Sequence, residues 1–102
     1  MALELRPNCE NCDVDLPPSS PNAMICSFEC TFCRECVDTV LWNVCPNCGG
    51  GFCERPIRPA MSWKGGNYLG ERPASAERKH RPVEIDAHRA FSQSIPVPPT
   101  ER

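Results

Sequence analysis

Eight of the nine cysteines stand in four close pairs, a spacing that suits metal coordination. The pairs are Cys9/Cys12, Cys26/Cys30, Cys33/Cys36 and Cys45/Cys48. When two residues separate two cysteines on one tight turn, both thiolates can reach the same ion at about 2.3 Å. Each pair is then half of a tetrahedral site, so the four pairs predict two four-sulfur centres.

A disulfide framework is the other interpretation of so many cysteines, and it requires an oxidising compartment. The first seven residues carry charges at Glu4 and Arg6 and no apolar run of signal length, and no stretch approaches a membrane span. We therefore expect a cytosolic chain, in which cysteines at these gaps bind metal more often than each other. An odd total of nine also suits disulfides poorly.

Thiolates are soft ligands that select zinc or an iron–sulfur cluster. Zinc is favoured because the pairs are arranged in fours. Residues 45–49 read Cys-Pro-Asn-Cys-Gly, in which the proline sets the turn and the glycine lets backbone amides approach the sulfurs. Residues 9–12 have the same spacing without the glycine. We predict two zinc ions, and we expect a domain of this size to need them in order to fold.

The segment between Cys36 and Cys45 decides which pairs share an ion. Its apolar residues recur at i, i+3, i+4 and i+7, which is one face of a short helix, and they are Val37, Val40, Leu41 and Val44. Eight helical residues span roughly 12 Å, too far for Cys36 and Cys45 to share one tetrahedral ion. The prediction is therefore interleaved, with one ion on Cys9, Cys12, Cys33 and Cys36 and the other on Cys26, Cys30, Cys45 and Cys48.

The composition changes at about residue 54. Residues 1–53 contain every cysteine and carry a formal charge of −5, whereas residues 54–102 carry +3 and seven of the twelve prolines. The second part has almost no aliphatic side chains, so burial cannot offset the entropy lost on ordering. We predict a zinc-binding domain over 1–53 and a Pro/Arg-rich, mostly disordered tail over 54–102. Within the domain, residues 23–25 and 31–32 are predicted to pair as a small hairpin.

The order CxxC, a loop of thirteen residues, a close pair, CxxC, a loop of eight and a final CPxC resembles the cross-brace RING family. Phe32 and Trp42 also stand where RING domains often carry such residues. The resemblance implies a small metal-stabilised α+β fold of the treble-clef cross-brace type, with one short helix and a small β-hairpin. The chain departs from RING domains in having no histidine among the middle ligands and three residues between Cys26 and Cys30.

A narrower resemblance covers roughly the first 58 residues. The stretches LELRPNCENC, ICSFECTFCREC and CPNCGG are similar to a family of short, cysteine-rich bacterial proteins, domain of unknown function twelve seventy-two. This resemblance implies a small bacterial zinc-binding protein without an assigned activity.

The first functional hypothesis is a protein–protein interaction module, because zinc knuckles present side chains on a rigid base. Four apolar residues are candidates for a groove that binds a protein partner: Leu16, Ile25, Phe28 and Trp42. The competing interpretation places apolar residues in the core, and we favour it for Ile25, Phe32 and Leu41.

An enzyme is the second hypothesis, since the RING resemblance implies a ubiquitin-ligase-like activity. RING ligases typically carry an apolar residue just after the first cysteine and a basic residue beyond the last, where this chain has Glu10 and Gly49. Catalytic zinc also keeps an open coordination position, whereas eight cysteines close both sites. We therefore expect no enzymatic activity and no catalytic residue, and we expect His80 and His88 to be solvent-exposed tail residues.

Two further roles are alternatives. The basic run Arg78–Arg81 allows a nucleic-acid-associated regulator that acts through the tail. Two tetrathiolate zinc centres would take residues 1–53 to about −9, however, a charge that repels phosphate. A redox-responsive zinc switch is the other role, because oxidised thiolates release zinc. The ninth cysteine, Cys53, can replace Cys48 as a ligand, remain a free thiol or have no role.

Overall fold

The cysteine-rich part of the chain is built on a three-stranded antiparallel sheet and a short helix. The computed structural model describes residues 2–102. Its elements, in chain order, are β1 (Ala23–Ile25), β2 (Thr31–Cys33), α1 (Arg34–Cys36) with a π-helical turn directly after it (Val37–Leu41), β3 (Cys53–Glu54), α2 (Ile85–Gln93) and a 3-10 turn (Pro99–Glu101). Within residues 2–102, no helix is long and apolar enough to cross a membrane.

The predicted hairpin is present, and its first strand forms the centre of the sheet. β1 pairs antiparallel with β2 and, on its other side, with β3. The hairpin turn is closed by Cys26 N–H donating to Cys30 O at 3.2 Å, and Glu29 within it has a left-handed φ of 66°. The three residues between Cys26 and Cys30, which distinguish this chain from RING domains, are therefore the loop of a β-hairpin.

The predicted helix is also present, although its limits are different. It begins at Arg34, because the Cys33 sulfur caps it by accepting the Cys36 N–H at 3.4 Å. It ends at Leu41, where the next residue takes a left-handed φ of 49° and its N–H bonds back to Val37 O. Val44 thus lies beyond the helix, and it is buried nonetheless. A left-handed turn after the helix returns this side chain to the core.

The core is built largely from the cysteines and a few apolar side chains. Ile25, Phe32 and Leu41 are all buried, as predicted. Phe32 and Leu41 belong to one cluster of buried residues, whose other members are Cys9, Leu16, Ala23, Cys26, Cys30, Cys33, Cys36, Val37 and Cys45. Since cysteines make up so much of the interior, apolar burial and the sulfur centres are parts of one structure.

Residues 54–102 are ordered against the first part of the chain, so the prediction of a mostly disordered tail is not what the structure has. The tail is held in part through its main chain: Ser75 N–H donates to Leu5 O at 3.0 Å, and Arg81 N–H donates to Glu10 O at 2.7 Å. The prediction of disorder from composition was wrong because it considered only the apolar side chains available for burial. It does not count backbone groups that find partners on a neighbouring segment.

Arg55 is the strongest link between the two parts of the chain. Its side chain is 2% exposed, and its guanidinium donates to Arg6 O at 2.9 Å, Pro17 O at 3.1 Å and Leu16 O at 3.2 Å. Burial, together with the nearby cation of Arg58, lowers the pKa of Arg55. A single planar side chain therefore joins three backbone carbonyls of the N-terminal segment to the end of β3.

We expect Arg55→Ala to lower the free energy of unfolding by about 3–5 kcal/mol. The substitution leaves three buried carbonyls without their hydrogen-bond donor and opens a cavity where the guanidinium was. Chemical denaturation of the metal-loaded protein, followed by tryptophan fluorescence, measures this. The matched control is Lys64→Ala, which removes an exposed cation. A change in stability no larger than that of the control would contradict the role assigned to Arg55.

Candidate metal centres

The first sulfur centre joins the N-terminal cysteine pair to the start of the helix. The sulfurs of Cys9, Cys12, Cys33 and Cys36 all lie within 4.8 Å of one another. Those of Cys12 and Cys33 are 3.7 Å apart. Zinc–sulfur bonds of about 2.3 Å in a tetrahedron place neighbouring sulfurs about 3.8 Å apart, so the donor set fits a zinc ion.

The second sulfur centre joins the hairpin turn to the segment after the helix. The sulfurs of Cys26, Cys45 and Cys48 lie within 4.8 Å of one another. Cys30 is outside this group of three, but its buried sulfur accepts a hydrogen bond from Asn47 Nδ2 at 3.4 Å. Cys30 is therefore next to the second centre without completing it.

The pairs associate crosswise along the chain, as in the interleaved prediction. The first pair meets the third, and the second pair meets the fourth. The helix Arg34–Leu41 separates the third pair from the fourth, which is the arrangement that the helical spacing of the sequence indicates. This is the cross-brace pattern.

Backbone amides point at the sulfurs of both centres. Phe28 N–H donates to Cys26 Sγ, and Gly50 N–H donates to Cys48 Sγ, each at 3.4 Å and each from two residues further along the chain. Cys45 Sγ accepts from the N–H two residues on in the same way. Hydrogen bonds to sulfur favour the charged thiolate, which is the form that binds metal.

Asn11 and Asn47 link the halves of each centre, and sequence reasoning missed this role. Each precedes the second cysteine of its CxxC pair and donates its side-chain amide to a sulfur of the opposite pair. Asn11 Nδ2 reaches Cys36 Sγ at 3.3 Å, and Asn47 Nδ2 reaches Cys30 Sγ at 3.4 Å. The signal was available, since both pairs read Cys-X-Asn-Cys. Such outer contacts orient ligands and tune the bound ion.

Burial works against ionisation of these thiols. It raises the pKa of Cys33 to about 11, and it also raises the pKa of Cys36 and of Cys45. Burial acts in the same direction on Cys12, but hydrogen bonds, first among them that to the Val14 backbone, lower the pKa of this more exposed thiol. Thiolates gathered at such sites need a cation among them, and a divalent metal ion supplies that charge.

Cys53 belongs to neither sulfur group. It lies on β3 opposite Ile25, and its side chain is exposed. Strand pairing, rather than contact with a sulfur centre, therefore fixes the position of this cysteine.

The two histidines of the tail bind backbone carbonyls beside the centres. His80 Nε2 lies 3.0 Å from Asn11 O, and His88 Nε2 lies 2.9 Å from Leu41 O. His88 is only 4% exposed, so the expectation of an exposed position was wrong for this residue. It is buried because α2 packs on the helix that ends at Leu41.

The basic run of the tail lies along the first CxxC pair. The Arg78 guanidinium contacts Asp13 Oδ1 at 2.9 Å and Asp15 Oδ1 at 2.8 Å, and these carboxylates raise its pKa. Lys79 O accepts from the Asn8 side-chain amide at 2.8 Å. The positive charge at Arg78 is thus used within the chain, against the acidic segment that follows Cys12.

Glu10 is a buried part of the fold. Its carboxylate pairs with Arg6 at 2.9 Å and accepts the Thr31 N–H at 2.6 Å. This contact fixes the first CxxC pair to β2. The position at which RING ligases carry an apolar contact residue is here committed to an internal ion pair.

Residues 2–58 match the family described as protein of unknown function (DUF1272). The chain belongs to this family. Among its relatives is the uncharacterized protein R02474 of Rhizobium meliloti (strain 1021), which is 52% identical over 88 residues, or 86% of this chain and 98% of that protein. No solved structure matches the chain. The family match includes every cysteine and also Arg55, so it extends past the predicted domain boundary at residue 53.

We expect Asn11→Ala and Asn47→Ala each to weaken zinc binding by about 10-fold to 100-fold, as loss of an outer-shell contact typically does. Competition with a chromophoric chelator measures this. Asn67→Ala is the matched control, since the Asn67 amide donates to the Lys64 carbonyl, away from both centres. Zinc affinities equal to that of the control would show that the two amides do not support the centres.

Proposed function

We propose that the chain is a cytosolic protein that holds two structural zinc ions and uses its folded surface to bind another protein. The observation that carries the zinc assignment is the crosswise association of the cysteine pairs around two sulfur groups. Sulfur-only donors suit zinc, and the N–H···S contacts prepare the sulfurs to bind as thiolates. In this proposal Cys30 moves onto the second ion as the fourth ligand.

A structural role for the ions follows from the donor sets. Four thiolates complete the tetrahedron, whereas catalytic zinc keeps one position for water or substrate. Most of the eight proposed ligands are buried, with only Cys12 and Cys48 exposed. We therefore propose a binding role rather than catalysis.

The binding surface differs from the one first suggested by the sequence. Leu16 and Ile25 are buried in the core, but Phe28 is 71% exposed and Trp42 is 40% exposed. Phe28 lies in the hairpin turn, and its own N–H bonds to Cys26 Sγ, so the second centre fixes the loop that displays the ring. An exposed aromatic ring on a rigid loop is a typical anchor of a protein interface.

Charge favours a protein partner over nucleic acid. Residues 1–53 carry −5 before any zinc-bound thiolates are counted, and the Arg78 cation of the tail is paired with Asp13 and Asp15. A nucleic-acid site needs free cations that can replace counterions on phosphate. The ion pairs of Arg78 support a role for this residue inside the protein.

Protein purified without added metal should contain about two zinc ions per chain, and Cys9→Ser or Cys26→Ser should each impair one site. Structural zinc contributes on the order of 10 kcal/mol of apparent folding free energy, so removal by a chelator should unfold the chain. Elemental analysis and NMR chemical-shift dispersion measure the two effects. Cys53→Ser is the matched control, expected to keep both ions. A chelated sample that stayed folded, or a different metal in the elemental analysis, would overturn the assignment.

We expect Phe28→Ala to retain two zinc ions and wild-type stability while losing partner binding, because the ring is an exposed anchor. A photo-crosslinking amino acid placed at position 28 should capture a defined protein in cells. The same probe at exposed position 93 on α2 is the control. Identical crosslinked species from both positions would count against a specific surface at Phe28.

A further inference from the structure

The tail helix covers a cavity between the two cysteine knuckles, defined as residues 9–12 and 45–48. The cavity has a volume of about 310 Å³. Its floor is formed by Glu10, Phe32, Pro46 and Asn47, and its other side by the tail residues 81–84, Ala87, His88 and Phe91. The two knuckles and β2 thus form a groove, and α2 lies in it without filling it.

Few contacts hold α2 in this groove. His88 is the one buried residue of the helix, anchored by the bond from Nε2 to Leu41 O at 2.9 Å. Phe91 is 39% exposed, and the Arg89 guanidinium lies 5.2 Å from the centre of the Trp42 ring. A helix of nine residues is marginal in water, so α2 depends on the groove for its order.

The C-terminal residues pack against the glycine run that follows the second knuckle. A Cβ on Gly49 would lie 3.3 Å from Ile95 Cδ1, and a Cβ on Gly51 would lie 2.7 Å from Pro99 Cγ. Arg102 Nη1 donates to Asn43 O at 2.7 Å in the same region. The bare backbone of this run is therefore part of the surface that receives the tail.

We propose that this groove is a docking site for an amphipathic helix, and that α2 is its internal, displaceable occupant. The inference rests on the proposed protein-binding function and names the partner's chemistry. The partner helix carries a hydrogen-bond donor for Leu41 O, a cation on the next residue for Trp42, and an aromatic residue three positions after the donor. α2 shows this pattern in His88, Arg89 and Phe91.

Contacts and space both favour such a partner. α2 is formally neutral, with Asp86 and Arg89 as its charges, so the His88 hydrogen bond and the Arg89 contact with Trp42, rather than net charge, hold it in the groove. The unfilled cavity beneath α2 leaves room for larger apolar side chains at the positions of Ala87 and Phe91. A helix with such side chains would bury more apolar surface than α2 does and would displace it.

The test uses zinc-loaded full-length protein and a fluorescent peptide with the sequence of residues 81–102, with binding followed by anisotropy. The double variant His88→Ala/Phe91→Ala, which weakens the internal helix, should bind the peptide about tenfold more tightly than the wild-type chain does. Gln93→Ala, on the exposed side of α2, should behave as the wild type. A peptide carrying the same two alanines should not bind. Equal affinities of variant and wild type, or binding of the substituted peptide, would overturn the proposal.

A second measurement does not depend on the variant. Millimolar peptide added to the wild-type chain should remove hydrogen-exchange protection from the α2 amides and leave residues 31–41 protected, because an internal ligand competes at millimolar effective concentration. Protection of α2 that persists at saturating peptide contradicts displacement. Zinc content is measured on the same samples. Loss of zinc would count against the proposed two-ion protein. Zinc-loaded protein that does not bind the peptide would count against the groove alone.

Discussion

The fold depends on cysteine thiolates being held together inside the protein. The sheet has strands of only two or three residues, and the first helix with its π-helical turn covers Arg34–Leu41. Such elements supply little cooperative backbone structure or apolar burial by themselves. The second and third cysteine pairs lie at the ends of these elements, however, and each sulfur centre joins segments that are distant in sequence. Backbone and asparagine amides turned toward the sulfurs make these junctions suitable for metal.

The junctions could be predicted from the sequence because cysteine spacing is a local signal with a geometric cause. The same holds for the hairpin, whose strands are short apolar runs, and for the helix between the third and fourth pairs. The limits of the helix were harder to predict. Its beginning depends on a sulfur that acts as a cap at Cys33, and its end depends on a left-handed residue at Trp42. Neither feature can be predicted from the helical spacing of the apolar residues.

The order of the tail could not be predicted in the same way. Residues 54–102 have little to bury, and the prediction of disorder rested on that fact alone. Their anchors include Arg55, which satisfies three carbonyls, the main-chain N–H groups of Ser75 and Arg81, and the side chains of Arg78 and Arg102. Whether a backbone amide finds a partner depends on the path of the folded chain. Residue types alone do not show whether such a partner exists. The burial of His88 was missed for the same reason, since it too depends on the path of the folded chain.

The way in which the tail is attached has a consequence for the variation that this protein can tolerate. Where a tail residue is held through its amide or carbonyl, its side chain can be exchanged without altering the path of the chain, provided that no proline replaces a needed N–H. Ser75 and Arg81 meet the first part of the chain through their N–H groups, whereas Arg78 and His80 meet it through their side chains. The cysteine-rich part has no such freedom, because its side chains are themselves the attachments. The family match over residues 2–58 contains every one of these cysteine attachments.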